Sequence, residues 1–245
     1  MNKKKLISIS QPTFLPWTGL FDLIDSVEKF IFLNDVQFVR RDWQQRNKII
    51  SNKVISWISL PVIKKDRSQL INETEIAKEF KYKNKLIKTI KNNYSKSKYY
   101  KNYIDEFENK FTECLKLKFL DDLNIELMKW FIEKIGIKTE LFKSSDLNIA
   151  KKKSLKLIDI CKSFNSSEYL SSYGSKDYLK SDFKLFQKEN INVYLQNYET
   201  VYYNQLSNKF DRHVSILDMF FNEGPNTLEL IRKGRKKKIS LMEIK

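Results

Sequence analysis

The sequence predicts an α/β protein: a Rossmann-like parallel-sheet core that starts with a βαβ unit and carries a mostly helical insertion near residues 77–135. Three observations predict it. Residues 5–10 and 29–35 are short apolar runs, as a strand buried on both faces requires. Between them, residues 19–28 place Leu20, Leu23, Ile24 and Val27 on one helical face. Strand and helix patterns alternate again from residue 137 to residue 233.

Taken in order, the first strand runs into a rigid turn at 11–18, a helix, and a second strand that ends at Asn34-Asp35. Strand, turn, helix and strand in about 30 residues make a right-handed βαβ unit. Residues 36–53 are polar and Arg-rich and read as a loop. Residues 54–62 alternate as a strand that stops at Pro61, and 64–75 is polar. Helices at 77–93 and 98–117 flank a basic, tyrosine-rich hinge, and an amphipathic helix at 121–135 ends at Gly136. A strand at 137–142, a helix at 151–164, a strand at 167–172 and a turn into a helix at 174–179 follow. A strand at 191–198 and helices at 214–222 and 225–233 come last, with Pro225 in the final helix's first turn. The basic tail, 234–245, reads as frayed. No repeat or linker divides residues 1–245, which read as a single domain with its insertion.

The chain's 245 residues suffice to bury a sizeable core, and 41% hydrophobic with 13% aromatic content excludes disorder. A net charge of +16 favours phosphate-bearing partners. Only seven of the 46 basic residues are Arg, and Lys beside abundant Asn and Ile is also the bias of an AT-rich genome. Cys114 and Cys161 lack metal-ligand spacing and sit in apolar helical patterns, as buried thiols of a reducing compartment do. One histidine excludes a multi-His metal centre, and no metal site is expected. Without a leader pattern or a run of about 18 apolar residues, the expectation is a cytoplasmic protein with no membrane span.

Four stretches carry candidate chemistry. In the first turn, Pro12 and Pro16 fix φ, Gln11 both donates and accepts, Trp17 offers a flat face, and Gly19 admits close approach. A turn after the first strand of a parallel sheet is where such folds bind ligands. The alternative is that Pro and Trp only pack the turn. The second stretch, "NDVQFVRRDWQQRNKI", gathers Arg40, Arg41 and Arg46 with Asp35, Gln37, Trp43 and Asn47. In a Lys-dominated chain the choice of Arg is informative, because guanidinium forks onto phosphate or carboxylate. A solvated charged loop is the other reading. In the third, "YLSSYGSKDYL", Ser172, Gly174 and Lys176 form a phosphate-facing turn weaker than a P-loop, or an ordinary capped turn. In the fourth, "RHVSILDMFFNEGP", Ser215 and Asp218 suit a helix N-terminus, and His213 is a candidate acid–base group.

Together "QPTFLPWTGLFDLI", "FLNDVQFVRRDWQQRNKI", "YLSSYGSKDYL" and "SILDMFFNEGP" resemble the WbqC-like family over nearly the whole chain, about residues 6–233. The resemblance implies a bacterial protein of O-antigen (lipopolysaccharide), capsule or flagellin glycan synthesis, a transferase or modifying enzyme on activated sugars. The family often has His before the Gln-Pro, where this chain has Ser10; its Tyr-Pro appears here as Tyr203-Asn204. More distantly, the opening is similar to the pantothenate synthetase type of nucleotidylyltransferase fold. That fold's H-x-G-H signature is replaced by Trp17-Thr18-Gly19-Leu20, without either histidine.

The leading expectation is N-acyl or aminoacyl transfer to a nucleotide-linked amino sugar. The donor would be a coenzyme A thioester or an aminoacyl-tRNA, the latter being the one role expected for nucleic acid. Asp35 or His213 would be the base that removes the amine proton. An NTP-dependent nucleotidyltransferase or ligase, and a non-catalytic nucleic-acid or scaffold protein using the basic tail, are the alternatives.

Overall fold

A computed structural model describes residues 6–63, 65–78 and 80–244. Residues 5, 64, 79 and 245, at or within the segments assigned above, and the start of the chain lie outside the described residues. The chain opens with β1 (Leu6–Ser10), α1 (Thr18–Asp25) and β2 (Lys29–Phe32). A hairpin, β3 (Arg46–Ser51) and β4 (Val54–Ser59), precedes a short pair, β5 (Val62–Ile63) and β6 (Glu75–Ile76). Three helices follow: α2 (Phe80–Tyr94), α3 (Tyr100–Cys114) and α4 (Leu120–Ile135). The second half runs β7 (Glu140–Lys143), α5 (Lys153–Ser163), β8 (Glu168–Ser171), α6 (Lys176–Ser181), α7 (Phe183–Lys188) and β9 (Asn192–Leu195). It closes with α8 (Ile216–Glu223), α9 (Thr227–Lys233) and β10 (Ile239–Ser240).

The expected α/β architecture is present. Six strands form one sheet in the order β10-β9-β8-β1-β2-β7, parallel except for the antiparallel β9–β10 pair. Alternation within each strand divides the core into two layers. Ile7, Ile9 and Ile31 meet Leu157 and Ile160 of α5 on one face. Phe30 and Phe32 meet Phe21 of α1 and Phe131 of α4 on the other. That second layer also contains Phe107 and Phe111 of α3, with Phe107 packed edge-on against Phe221 of α8. Gly136 ends α4 at φ +87°, the left-handed cap expected of it.

The chain builds the sheet outward twice. β1, β2 and β7 go one way; the chain then returns to place β8 against the other side of β1, and β9 beyond it. The order reverses between β1 and β8, and a crevice opens at the carboxyl ends of strands that diverge in this way.

Two segments differ from the sequence expectation. The loop assigned to 36–53 contains β3, paired antiparallel to β4 from Arg46↔Ser59 to Ser51↔Val54. Asn52 and Lys53 both have positive φ (49° and 64°), which gives the primed two-residue turn that joins twisted strands. Without a glycine, Asn-Lys did not advertise it. The tail is also ordered. β10 pairs with β9, Leu241 is buried, and Lys236 and Lys238 pair with Glu199 and Glu168. Local charge suggested a frayed end, but tertiary carboxylates neutralise much of it. Among the described residues, no helix is long and apolar enough to cross a membrane.

Candidate functional site

A cleft of about 460 Å³ lies at the switch point. Ser10 ends β1, Ser172 follows β8 and Gln196 follows β9, so three strand ends supply uncharged polar groups, beside Thr13 and Asn47, which also line the cleft. Thr13 and Trp17 enter from the first turn, Trp43 and Lys48 from the hairpin side, and His213 from the segment before α8.

The turn is braced by the second and fourth stretches and by α4. Trp43 accepts a backbone bond from Phe14 at 2.9 Å, and Gln44 Nε2 donates to Gln11 Oε1 at 2.7 Å. Buried Asn47 donates to the carbonyls of Phe14 and Leu15 at 3.1 and 2.9 Å. Leu15 has φ +45° immediately before Pro16, a conformation that costs about 1–3 kcal/mol. Asn47 holds it there. Asn124 of α4 donates to the carbonyls of Gln44 and Pro12. From the other side Ile216 N donates to Pro16 O at 2.7 Å and Ser215 N to Lys48 O at 2.8 Å. The first, second and fourth stretches thus form one wall. Ser215 caps α8 as expected, its hydroxyl accepting from Leu217 N.

Gly19 has a different use from the one expected. A Cβ there would lie 2.2 Å from the Trp17 ring, so the indole, instead of a ligand, occupies the space beside the backbone. Trp17 packs edge-on against Tyr198 and, at 5.2 Å between centroids, against His213. Gly19→Ala must displace the indole. The expected result is a loss of about 1–3 kcal/mol in urea unfolding, as overpacking generally costs, with a changed Trp emission spectrum. An unchanged midpoint would show that the ring is not wedged.

The remaining predicted residues divide. Ser172 lines the cleft, whereas Gly174 and Lys176 are not among its lining; Lys176 Nζ lies 6.0 Å from the Tyr173 ring. Asp35 accepts from Lys156 Nζ at 2.6 Å and from Ser144 Oγ, a buried cluster beyond β2 and outside the cleft lining. Gln37 donates to Arg67 O at 2.6 Å. Asp218 is buried, accepts from Tyr203 Oη at 2.8 Å, and has its other oxygen unpartnered. Burial raises its pKa to about 7. Of the two candidate bases, His213 lines the cleft; its backbone N–H is anchored on Asp211 and no carboxylate pairs with its ring among the described residues.

The cations of the hairpin side are unpaired. Among the described residues Arg40, Arg41, Arg46 and Lys48 have no acidic partner, whereas Arg232, Lys233, Arg235, Lys236 and Lys238 near the chain end all do. Arg46 stacks 4.1 Å above the ring of Trp57, and its buried Nε has no hydrogen-bond partner. Trp57 escaped the sequence reading. Its signal was an aromatic residue in an alternating run, directly opposite Lys48 in the ladder.

Beneath the cleft, Gln196 Nε2 bonds both Gly19 O and Asp22 Oδ2 at 2.7 Å. Asp22 also accepts from Arg235 Nε at 2.7 Å. Burial raises the Asp22 carboxyl, while Gln196 and Arg235 pull it back down.

The chain is 31% identical over 238 residues to an uncharacterized protein of Mycobacterium tuberculosis, Rv1507c, an alignment covering 94% of this chain and 99% of that one. No solved structure matches it. The model of the WbqC-like protein family matches residues 11–230, from the braced turn through α8 and most of α9, and the chain belongs to that family.

Proposed function

We propose that this protein transfers an acyl or aminoacyl group to the amine of a nucleotide-linked amino sugar. Membership of the WbqC-like family suggests a role related to glycan biosynthesis. The observation that carries the finer reading is the cleft: uncharged hydroxyl and amide groups at its strand-end floor, unpaired Lys48 at its hairpin side, and one imidazole in its wall. Hydroxyl and amide groups suit a sugar, and unpaired Lys48 and Arg46 suit a diphosphate.

An ammonium cannot attack a carbonyl, so a proton must leave the amine. His213 accepts it. The ammonium loses two protons in all: His213 passes the first to solvent before attack, the nitrogen then forms a C–N bond at the donor carbonyl as the donor's C–S or C–O bond breaks, and the second proton goes from the acylated nitrogen to the departing sulfur or oxygen. The donor is a thioester or an ester of the aminoacyl-tRNA class. Asp35, paired with Lys156, serves as a structural anchor in this reading.

The test is calorimetry with UDP- and dTDP-linked amino sugars, followed by an acyl-transfer assay with acetyl-coenzyme A and with aminoacyl-tRNA. His213→Gln is expected to keep sugar-nucleotide affinity and to lower turnover by about 10²–10⁴-fold. Absence of nucleotide-sugar binding, or full activity of both His213→Gln and Arg46→Ala, overturns the reading.

A further inference from the structure

The standard phosphate position of a doubly wound fold is the amino end of the helix after β1, where backbone N–H groups and the helix dipole meet the anion. Here that approach is covered. The Trp17 indole lies against Gly19 of α1, closer than a Cβ would tolerate. An anion in this cleft must be held from another direction.

The hairpin provides one. Trp43 and Trp57 are 43% and 47% exposed, with ring centroids 5.4 Å apart. The contrast is Trp130, buried among Phe107, Phe131 and Phe220. Arg46 lies over the Trp57 ring with no acidic partner, and Lys48 Nζ is 5.8 Å from the same ring. Trp43 and Lys48 also line the cleft and join the shelf to the hydroxyl-lined floor, whereas Trp57 and Arg46 lie outside its lining.

We infer that the nucleobase of the ligand stacks on the Trp43–Trp57 shelf, with its diphosphate held by Arg46 and Lys48 and its sugar on the strand-end floor. This rests on the nucleotide-linked ligand proposed above. A nucleotide sugar is linear, with base, diphosphate and sugar in sequence; Arg46 and Lys48 both lie by the Trp57 ring, and Lys48 also lines the cleft that holds the strand-end floor. Every base offers a π-face, and an indole beside a guanidinium needs no base-edge contact to hold it. The shelf therefore selects for the presence of a base over its identity.

The experiment titrates the full chain with UDP, a UDP-amino sugar and inorganic pyrophosphate, by calorimetry and by Trp fluorescence. Wild type, Trp57→Ala, Trp57→Phe and Lys48→Gln are compared, each checked for folding by circular dichroism. UDP is expected to quench indole emission. Trp57→Ala is expected to weaken UDP by about 5- to 150-fold while leaving pyrophosphate within twofold, the range reported for a lost base stack. Trp57→Phe should recover most of that loss, and Lys48→Gln should weaken UDP and pyrophosphate alike. If Trp57→Ala binds the UDP-amino sugar as wild type does, the shelf is wrong and the proposed function stands. If Trp57→Ala weakens pyrophosphate as much as UDP, Trp57 acts only through Arg46 and base stacking is wrong. If wild type binds neither UDP nor the UDP-amino sugar, both readings fall.

Discussion

Replacing Arg235 by Ala is expected to lower folding stability by about 3 kcal/mol, the low end of what breaking a buried ion pair costs. Asp22 is the reason. Its side chain is 1% exposed. Arg235 donates to it through Nε and reaches Asp25 through Nη2 at 2.6 Å. Removing the guanidinium leaves a buried carboxylate with Gln196 as its remaining side-chain partner. Partial exposure of Arg235, 32%, lets water replace some of the loss, hence the low end of the range.

The sign with pH follows from the direction of the shift. The folded-state pKa of Asp22 is raised by burial, so folding favours its neutral form more than the unfolded chain does. Its contribution is fully present below the unfolded carboxyl pKa and declines as pH rises through the folded value. Without Arg235 that folded value rises further, and the deficit is expected to be larger at pH 8 than at pH 5. Urea midpoints at both pH values test this. Asp22→Asn combined with Arg235→Ala should recover part of the loss, because no charge is then stranded. Arg235→Lys should not recover it, since an ammonium lacks the fork that reaches two carboxylates. A loss under about 1 kcal/mol for Arg235→Ala would mean that the pair is solvated and structurally unimportant.

Asp218→Asn is expected to have the opposite effect, stabilising the protein above neutral pH. Asp218 is buried in the first turn of α8, and burial raises its pKa from 3.8 to about 7. A raised carboxyl contributes fully below about pH 4, and its contribution is lost as pH rises through about 7. The shift corresponds to at most about 4 kcal/mol of stability lost between those limits. Asparagine still accepts the Tyr203 hydroxyl bond but does not ionise. The difference in stability between variant and wild type should therefore be small at pH 4 and grow through pH 8. Parallel pH profiles for the two proteins would show that Asp218 is not the group responsible.

Much of the fold was legible because its signals are local. The apolar runs that became β1, β2, β8 and β9 were visible at once, as were the helical faces of α4, α5 and α8. Ser215 as a cap and Gly136 as a left-handed stop follow from side-chain and backbone chemistry within a single turn of helix. The hairpin β3–β4 was less legible. Arg46, Asn47 and Lys48 gave β3 a polar start, and its primed turn at Asn52-Lys53 lacks glycine. The order in the tail was hidden because Arg235, Lys236 and Lys238 find their carboxylates on elements far away in sequence.

For the site, composition singled out the braced turn, the arginines and Trp43, but not the role of each. Asn47 was read as ligand-facing and holds Leu15 and Phe14 as well. Gly19 was read as an opening and receives an indole. Asp35 was read as a base and is bound to Lys156, 121 residues away. Gln196 carried no local pattern that set it apart, and an aromatic residue in an alternating run, as Trp57 is, looks the same whether it packs or faces a ligand.

By itself the sequence determined where most strands and helices lie, that the first turn is rigid, and that Arg concentrates beside it. Burial of apolar side chains at periods of 2 and 3.6 decides those features within a few residues. Only the tertiary structure decided that β8 returns to the far side of β1, and so that Ser10, Ser172, Gln196 and His213 share one cleft while Asp35 does not. Strand order depends on which distant surfaces pack together, and no stretch of the chain encodes that choice alone.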